Sequence, residues 1–498
     1  MILSFSNLDY LKRREKMINL EQFLQKRFNF SSFKLGQKET IESLLKLENT
    51  FTVLPTGTGK SLCYQLPSYL LEGQTIIVSP LISLMEDQVN QLRKMGEKSV
   101  IAINSNLDFS SKKYVLNHLN QFKFIFISPE SLNQLEVFER VKQLNLGLFV
   151  VDEAHCISEW GHDFRPSYLT LKKIIKELNY PLTLALTATA TKDVKEDIKA
   201  ELFSTNGVQE FYYSVDRPNI FYQVEMCENK VEFLETFFKE KNVPSIIYFS
   251  SKKEAERVCQ LLRETVSVPV AFYHGDMESS DRIRIQQQFI HDEIRILCAT
   301  SAFGMGVNKE NVRVVIHYHL PDSLENYVQE SGRAGRDNKQ SLSIVLYQEG
   351  DERIHHFLQE ESFNQKKDLL FLKDKTKEQL KQFEHVLTDT QKKWLSQLEQ
   401  TGWDWETFEK NITVKQFEKN KKMYSMKNYI ENNGCRRTFI LDYFNNSQLV
   451  EKNEFCCDFC YREPLEIPDL IEEVSEEVSG NLNFDAKELL KKLFLNKF

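Results

Sequence analysis

The chain has 498 residues, 41% of them hydrophobic, and a net charge of −8. This hydrophobic share excludes a wholly disordered protein, and the acidic balance excludes a general polycation, so any nucleic-acid contact must come from local basic patches. No stretch approaches 18 apolar residues, and the first residues lack a signal-peptide pattern, so a cytoplasmic protein without membrane contact is expected.

Two series of short apolar runs alternate with amphipathic stretches after a polar segment, 1–16, which is expected to be a flexible leader, with Met17 as an alternative start. This alternation is typical of parallel sheets covered by helices. It predicts two α/β lobes, over residues 17–205 and 206–350, with ligand sites at the carboxyl ends of the strands. The predicted strands are 75–79, 122–128, 146–152 and 182–187, and then 245–250, 270–273, 294–299, 312–319 and 342–347.

The composition changes after residue 350, where Lys, Glu and Gln dominate and strand-like runs end. Residues 351–425 are predicted to form helices with solvated charged faces, and residues 426–465 to form a metal-binding module. The tail, 466–498, is acidic at first and ends in a stretch, 484–498, with one apolar helical face. That face suits packing on this chain itself or docking to a partner protein.

A glycine-rich loop and two carboxylates predict hydrolysis of a nucleoside triphosphate. Backbone N–H groups of such a loop approach phosphate oxygens, Lys60 would reach the terminal phosphates, and Ser61 would ligate Mg²⁺. Asp152, at the end of the strand 146–152, suits the same metal ion, and Glu153 suits orienting and deprotonating the attacking water. Leu54 stands where the strict loop pattern has glycine. The loop residues are Thr56, Gly57, Thr58, Gly59, Lys60 and Ser61.

A run in the second lobe, 329–337, contains Gln329 and two arginines, Arg333 and Arg336, three residues apart. An arginine delivered across a cleft stabilises the charge on a transferring phosphoryl group. If the pair lies opposite the phosphate loop, hydrolysis depends on closure of the two lobes, which is how ATP binding becomes movement. A solvated arginine pair is the alternative.

The order of these motifs resembles a superfamily 2 helicase, and their details resemble the RecQ family. The resemblance implies an ATP-dependent DNA helicase moving 3′ to 5′ in repair, recombination or replication, with two RecA-like parallel-sheet lobes followed by a helical, zinc-binding module. It also implies that Phe30 stacks on adenine, Lys34 lies nearby and Gln37 selects the base, although the family usually has Arg at position 34. The runs that carry the resemblance are 30–37, 79–88, 187–190, 273–275 and 299–309.

The segment 156–168, directly after the carboxylates, resembles the RecQ aromatic-rich loop. Trp160, Phe164 and Arg165 offer π faces and a cation, and base stacking on such groups contributes about 1–3 kcal/mol each. His162 belongs to the same loop and is included among the expected DNA-coupling residues. Because the loop is tethered to Glu153, it would report DNA occupancy to the ATP site.

Four of the nine cysteines gather near the C-terminus and predict a zinc site. Cys457 and Cys460 form a Cys-x-x-Cys pair, and Cys435 resembles the opening of the RecQ zinc module. The family's spacing falls on Glu454, so Cys456 is the expected substitute, with Glu454 or a water as alternatives.

The expected cofactors are therefore ATP, Mg²⁺ and Zn²⁺, and the expected partner is DNA, single-stranded or as a forked or 3′-tailed duplex, bound by a monomer. Longer RecQ members carry a winged-helix domain and a further helical domain, and the residues after 462 are too few for either, so a short form is expected. The alternatives are a DEAD/DEAH-like RNA helicase, a DNA translocase without strand separation, and a scaffold with a vestigial nucleotide site.

Overall fold

The computed structural model describes most of the chain between residues 19 and 461. Among the described residues, no helix is long and apolar enough to cross a membrane. The predicted leader, Trp160, His162, Phe164, Glu454 and the tail 466–498 lie outside these residues. The described ranges are 19–104, 107–158, 165–203, 207–239, 241–304, 309–375, 379–380, 383, 385–400, 404–445 and 455–461.

The first lobe is built on a seven-stranded parallel sheet with the order β3-β4-β2-β5-β6-β1-β7. Its strands have apolar residues on both faces: Ile125 and Ile127 of β4 join one hydrophobic cluster, and Phe124 and Phe126 join another. Helices therefore cover both faces, as continuous apolar strands require. The strands are β1 Thr50–Val53, β2 Gln74–Val78, β3 Val100–Ile103, β4 Phe124–Ile127, β5 Leu146–Val151, β6 Thr183–Thr187 and β7 Gln209–Tyr212.

The second lobe is built on a six-stranded parallel sheet with the order β10-β11-β9-β12-β13-β8. All nine predicted strands are confirmed, whereas β1, β3, β7 and β8 were not predicted. The first sheet also continues past residue 205, because β7 pairs with β1. The strands are β8 Ile220–Met226, β9 Ser245–Tyr248, β10 Val270–Tyr273, β11 Ile296–Ala299, β12 Val314–His317 and β13 Ser341–Tyr347.

Helices connect the strands and then form the region after residue 350, as predicted. In the first lobe they are Leu20–Phe28, Gln37–Leu45, Leu62–Leu70, Ile82–Lys94, Phe109–Asn117, Pro129–Leu132, Leu135–Val141, Pro166–Leu169, Leu171–Glu177 and Lys192–Leu202. In the second lobe they are Lys230–Lys239, Lys252–Thr265, Ser279–Ile290 and Leu324–Ser331. The later helices are Arg353–Leu369, Asp389–Gln400, Trp405–Glu431 and Arg436–Tyr443.

The last two of these helices share a core with the second lobe. Tyr429 is fully buried, and its hydroxyl lies 3.1 Å from the hydroxyl of Tyr327. The cysteine-bearing segment runs beside β8, where the Asp458 N–H donates to the Tyr222 carbonyl at 3.0 Å and the Val224 N–H donates to the Asp458 carboxylate at 2.9 Å. The predicted fold class, two RecA-like lobes followed by a helical module, is confirmed.

Tyr429→Ala is expected to lower the free energy of unfolding by about 3–5 kcal/mol, because it leaves a large cavity in this shared core. Tyr424→Ala is the matched control, since Tyr424 lies on the same helix and is 65% exposed; it should change the value by less than about 0.5 kcal/mol. Urea unfolding followed by circular dichroism measures both. Equal effects would mean that the helix does not pack on the second lobe.

Candidate active site and metal cluster

The phosphate loop lies between β1 and the helix Leu62–Leu70. Gly57 and Gly59 have φ angles of +85° and +74°, in the left-handed region that favours glycine. They let the chain turn sharply into the helix N-terminus, an arrangement that presents N–H groups and the positive end of a helix dipole to an anion. Lys60 points across this turn, and its Nζ lies 3.3 Å from Oε1 of Glu153.

The two carboxylates follow β5, two strands away from the loop. The Asp152 N–H donates to the Val78 carbonyl at 2.9 Å, and the Glu153 N–H donates to Oδ1 of Asp152 at 3.0 Å. Nδ1 of His155 lies 3.4 Å from the other oxygen of Glu153, Oε2. Burial, followed by the charge of Glu153, raises the pKa of Asp152 to about 6.

These groups fit a magnesium ion. Asp152 and Ser61 line the same cleft and offer the hard oxygen donors that Mg²⁺ prefers. A carboxylate whose charged form is disfavoured by burial is stabilised when a divalent cation lies beside it. The donor set therefore suits the metal that the sequence predicts.

The arginines of the second lobe face the same cleft from the turn after the helix Leu324–Ser331. Nη1 of Arg333 donates to the Gly304 carbonyl. Arg336 is partly buried; loss of hydration, followed by the charge of Arg333, lowers its pKa to about 9. Two neighbouring guanidinium groups that are shielded from water form a strong site for an anion.

One cleft of about 350 Å³ brings both sets of groups together. It is lined by every predicted catalytic and nucleotide-binding residue except Thr58, whose hydroxyl donates to the Pro55 carbonyl at 2.8 Å. The predicted residues in its lining are Phe30, Lys34, Gln37, Thr56, Gly57, Gly59, Lys60, Ser61, Asp152, Glu153, Gln329, Arg333 and Arg336.

Gln37 connects the predicted adenine end of the cleft to the phosphate loop. Its Nε2 donates to the carbonyls of Thr58 and Gly59 at 2.7 and 3.1 Å, and its Oε1 accepts from the Lys34 N–H at 2.8 Å. Phe30 lines the cleft and is 54% exposed. Adenine selection by Gln37 stays a prediction. The structure shows in addition that Gln37 contacts the phosphate loop.

Arg165 is the one predicted DNA-coupling residue among the described residues. Its N–H donates to the Cys156 carbonyl at 2.9 Å, and its Nη1 donates to the Pro80 carbonyl at 2.7 Å. It therefore ties the segment after the carboxylates to the run 79–88.

Arg217 also contacts the phosphate loop, although the sequence pattern does not predict it. This residue lies in the connection between the sheets, which reads as a polar linker, and it donates to the carbonyls of Thr56 and Gly332 at 3.0 and 2.8 Å. Only its burial in the folded chain identifies Arg217 as part of the site, because the local sequence does not distinguish a buried arginine from a solvated one.

The four predicted cysteines form one cluster in which all Sγ atoms lie within 4.8 Å of one another. Sγ of Cys435 lies 3.5 Å from that of Cys456 and 3.9 Å from that of Cys457. Tetrahedral zinc with Zn–S bonds of about 2.3 Å requires sulfur separations of about 3.8 Å, so the cluster fits zinc. Hydrogen bonds from the thiols of Cys456 and Cys457 lower the pKa of Cys435, which favours the thiolate that a metal needs.

Three family descriptions match the chain in order. "DEAD/DEAH box helicase" matches residues 34–197, "Helicase conserved C-terminal domain" matches residues 229–338, and "RecQ zinc-binding" matches residues 389–461. The first two contain the predicted catalytic residues of the two lobes, and the third contains all four clustered cysteines.

Two relatives from Bacillus subtilis illustrate the similarity. The chain is 42% identical over 458 residues to "Probable ATP-dependent DNA helicase RecS", covering 89% of this chain and 92% of that protein. It is 39% identical over 347 residues to "ATP-dependent DNA helicase RecQ", covering 68% of this chain and 58% of that protein. The match thus spans nearly all of one relative and little more than half of the other.

Solved structures show the same fold at low sequence identity. The DEAD-box helicase Mss116 bound to ssRNA and UDP-BeF has a TM-score of 0.59 at 18% identity, covering 88% of this chain and 92% of that one. The helicase Lhr of Mycobacterium smegmatis bound to ssDNA and AMP-PNP has a TM-score of 0.55 at 20% identity, covering 66% and 48%. Both likenesses concern the fold alone.

The cysteine cluster is expected to hold one zinc ion per chain. Cys456→Ser should release that zinc and lower the melting temperature, because metal binding contributes directly to folding in such modules. Cys227→Ser, outside the cluster, should retain the metal. Elemental analysis and thermal unfolding measure both, and full zinc occupancy in Cys456→Ser would exclude Cys456 as a ligand.

Proposed function

We propose, for a chain that belongs to the RecQ family of ATP-dependent DNA helicases, that ATP hydrolysis between the lobes drives 3′–5′ movement along single-stranded DNA and separation of duplexes. The observation that carries this proposal is the shared cleft. Lys60 and Glu153 enter it from the first lobe, and Arg333 and Arg336 enter it from the second.

The phosphate loop binds the triphosphate, and Lys60 contacts the terminal phosphates. Glu153 orients the attacking water and accepts its proton, with its carboxylate held between Lys60 and His155. Ser61 and Asp152 would hold a magnesium ion, which would supply positive charge at the phosphate oxygens. Arg333 and Arg336 stabilise the charge that develops on the transferring phosphoryl group.

Hydrolysis is coupled to movement because the catalytic groups are divided between the lobes. Hydrogen bonds between described residues connect the lobes near the cleft: the Thr56 hydroxyl donates to the Gly332 carbonyl at 3.2 Å, the Gln286 amide donates to the Asp87 carboxylate at 3.2 Å, and Arg217 donates to the Thr56 carbonyl at 3.0 Å. Nucleotide binding favours the closed arrangement, and product release removes the charge that holds it closed. Each cycle then shifts one lobe relative to the other along a bound strand.

DNA is the proposed track. The relatives are named as DNA helicases, and the family resemblance supplies the 3′–5′ polarity and the role in repair, recombination or replication. Arg165 joins the segment after Glu153 to the run 79–88. A DNA strand that contacts either segment can therefore shift the positions of the two carboxylates. The aromatic loop with Trp160, His162 and Phe164 is proposed to sense that strand.

Arg333→Ala is expected to lower kcat for DNA-stimulated ATP hydrolysis by about 10³-fold or more, the usual effect of removing an arginine that stabilises the transferring phosphoryl group. Nucleotide affinity should change little, because the phosphate loop is intact. Arg284→Ala is the control, since Arg284 is an exposed arginine of the same lobe. Steady-state kinetics and fluorescent-nucleotide binding separate the two effects; an unchanged kcat would remove Arg333 from catalysis.

Single-stranded DNA is expected to stimulate ATP hydrolysis far more than RNA, and the protein should unwind a 3′-tailed DNA duplex but not a 5′-tailed one. Coupled ATPase and strand-displacement assays with matched tails test this. Stimulation by RNA alone would identify an RNA helicase, and stimulation by DNA without displacement would identify a translocase. If ATP is not hydrolysed and Lys60→Ala keeps all nucleic-acid binding, the chain is a scaffold.

A further inference from the structure

Arg217 spans the point where the two lobes touch. It lies between β7 and β8, is 8% exposed, and donates four hydrogen bonds to backbone carbonyls. Its Nη1 donates to Thr56 and Gly332 at 3.0 and 2.8 Å, and its Nη2 donates to Ala334 and Gly335 at 3.0 and 2.7 Å. One guanidinium group thus holds a segment of each lobe.

The two segments that it holds are the catalytic ones. Thr56 begins the phosphate loop, and Gly332 directly precedes Arg333. The approach is so close that a Cβ atom on Gly332 would lie 2.0 Å from the Thr56 hydroxyl. Arg217 therefore bridges the phosphate loop and the segment that carries the two arginines, beside a direct hydrogen bond of 3.2 Å from the Thr56 hydroxyl to the Gly332 carbonyl.

Arg437 fixes the backbone of this linker from the other side. It is 4% exposed, and its Nη1 donates to the Arg217 carbonyl at 2.9 Å and also to the Asp216 carboxylate. Its Nη2 donates to the Ile220 carbonyl at 2.7 Å, and its Nε donates to Sγ of Cys456 at 3.3 Å. A side chain that contacts a cysteine of the metal cluster thus also holds the linker.

These contacts need the arginine fork. Four carbonyls around Arg217 require four N–H groups in a plane, whereas a lysine ammonium has three in a different geometry. The same holds for Arg437, which donates in several directions at once. A lysine at either position keeps the charge and loses the bridging.

We infer that Arg217 and Arg437 are positioning residues that connect the metal cluster to the nucleotide cleft. A change in the structure of the cysteine module therefore changes the distance between the phosphate loop and the arginines Arg333 and Arg336. This inference rests on the proposed function, since that spacing matters for ATP hydrolysis in the cleft. Neither residue is proposed to contact the nucleotide.

Kinetics of the conservative variants provide the first test. Arg217→Lys should lower kcat by about 100-fold, as expected for misplaced catalytic groups, while nucleotide affinity stays within about threefold of the wild-type value. Arg437→Lys should act in the same direction with zinc retained, and the double variant should be no worse than Arg217→Lys. Arg263→Lys is the control, because Arg263 donates to the Val270 carbonyl within the second lobe and faces neither the linker nor the cleft.

Hydrogen exchange provides a test that does not depend on activity. Arg437→Lys should accelerate amide exchange in residues 56–60 of the first lobe and in residues 332–335, and leave exchange in β10 and β11 unchanged. Unchanged amide exchange in residues 56–60 would contradict the inferred connection between the metal cluster and the nucleotide cleft. So would a double variant whose loss equals the product of the single losses, which marks independent sites.

Failure of this inference is distinguishable from failure of the proposed function. A wild-type protein that hydrolyses no ATP with single-stranded DNA contradicts the proposed function, whereas the exchange measurement still decides the connection. A wild-type protein that hydrolyses ATP, with Arg217→Lys equally active, contradicts the inference alone.

Discussion

Buried charges of opposite sign, held on separate lobes, are the constraint on which this protein depends. Burial raises the pKa of Asp152 to about 6 and lowers the pKa of Arg336 to about 9, so each charged form is penalised where it stands. A ligand that carries both signs, such as a nucleotide with its metal ion, offsets both penalties at once. Because folding already holds Asp152 and Arg336 in place, these charged groups need little reorganisation during the reaction.

The parallel sheet explains how one lobe delivers its half of these charges. In the order β5-β6-β1, three neighbouring strands end at the same edge. Asp152 and Glu153 follow β5, Thr187 ends β6, and the phosphate loop follows β1. Thr187 also bonds the ring of His155 at 2.9 Å, which fixes the imidazole beside Glu153. Motifs far apart in the chain thus meet because strand ends meet.

The sequence predicted those features of the site that depend on residues close together in the chain. Asp152 and Glu153 were identifiable because an apolar strand ends in two carboxylates, and Cys456 was identifiable because zinc needs a fourth ligand. Strand β1 was missed because Thr50 and Thr52 interrupt its apolar run, although both threonines are fully buried in the folded chain. Arg217 was missed for another reason: its partner Thr56 is 161 residues away, and only the folded chain shows that Arg217 is buried.

The cysteine module follows the second lobe in the chain, yet its packing makes it part of that lobe. Its helices share a core with Tyr327, its Asp458 bonds the edge of β8, and its Arg437 holds the linker. Well-packed interiors transmit displacement and do not absorb it, because they have few voids. In the proposed mechanism, closure of the cleft therefore moves Arg333 and Arg336 together with the module.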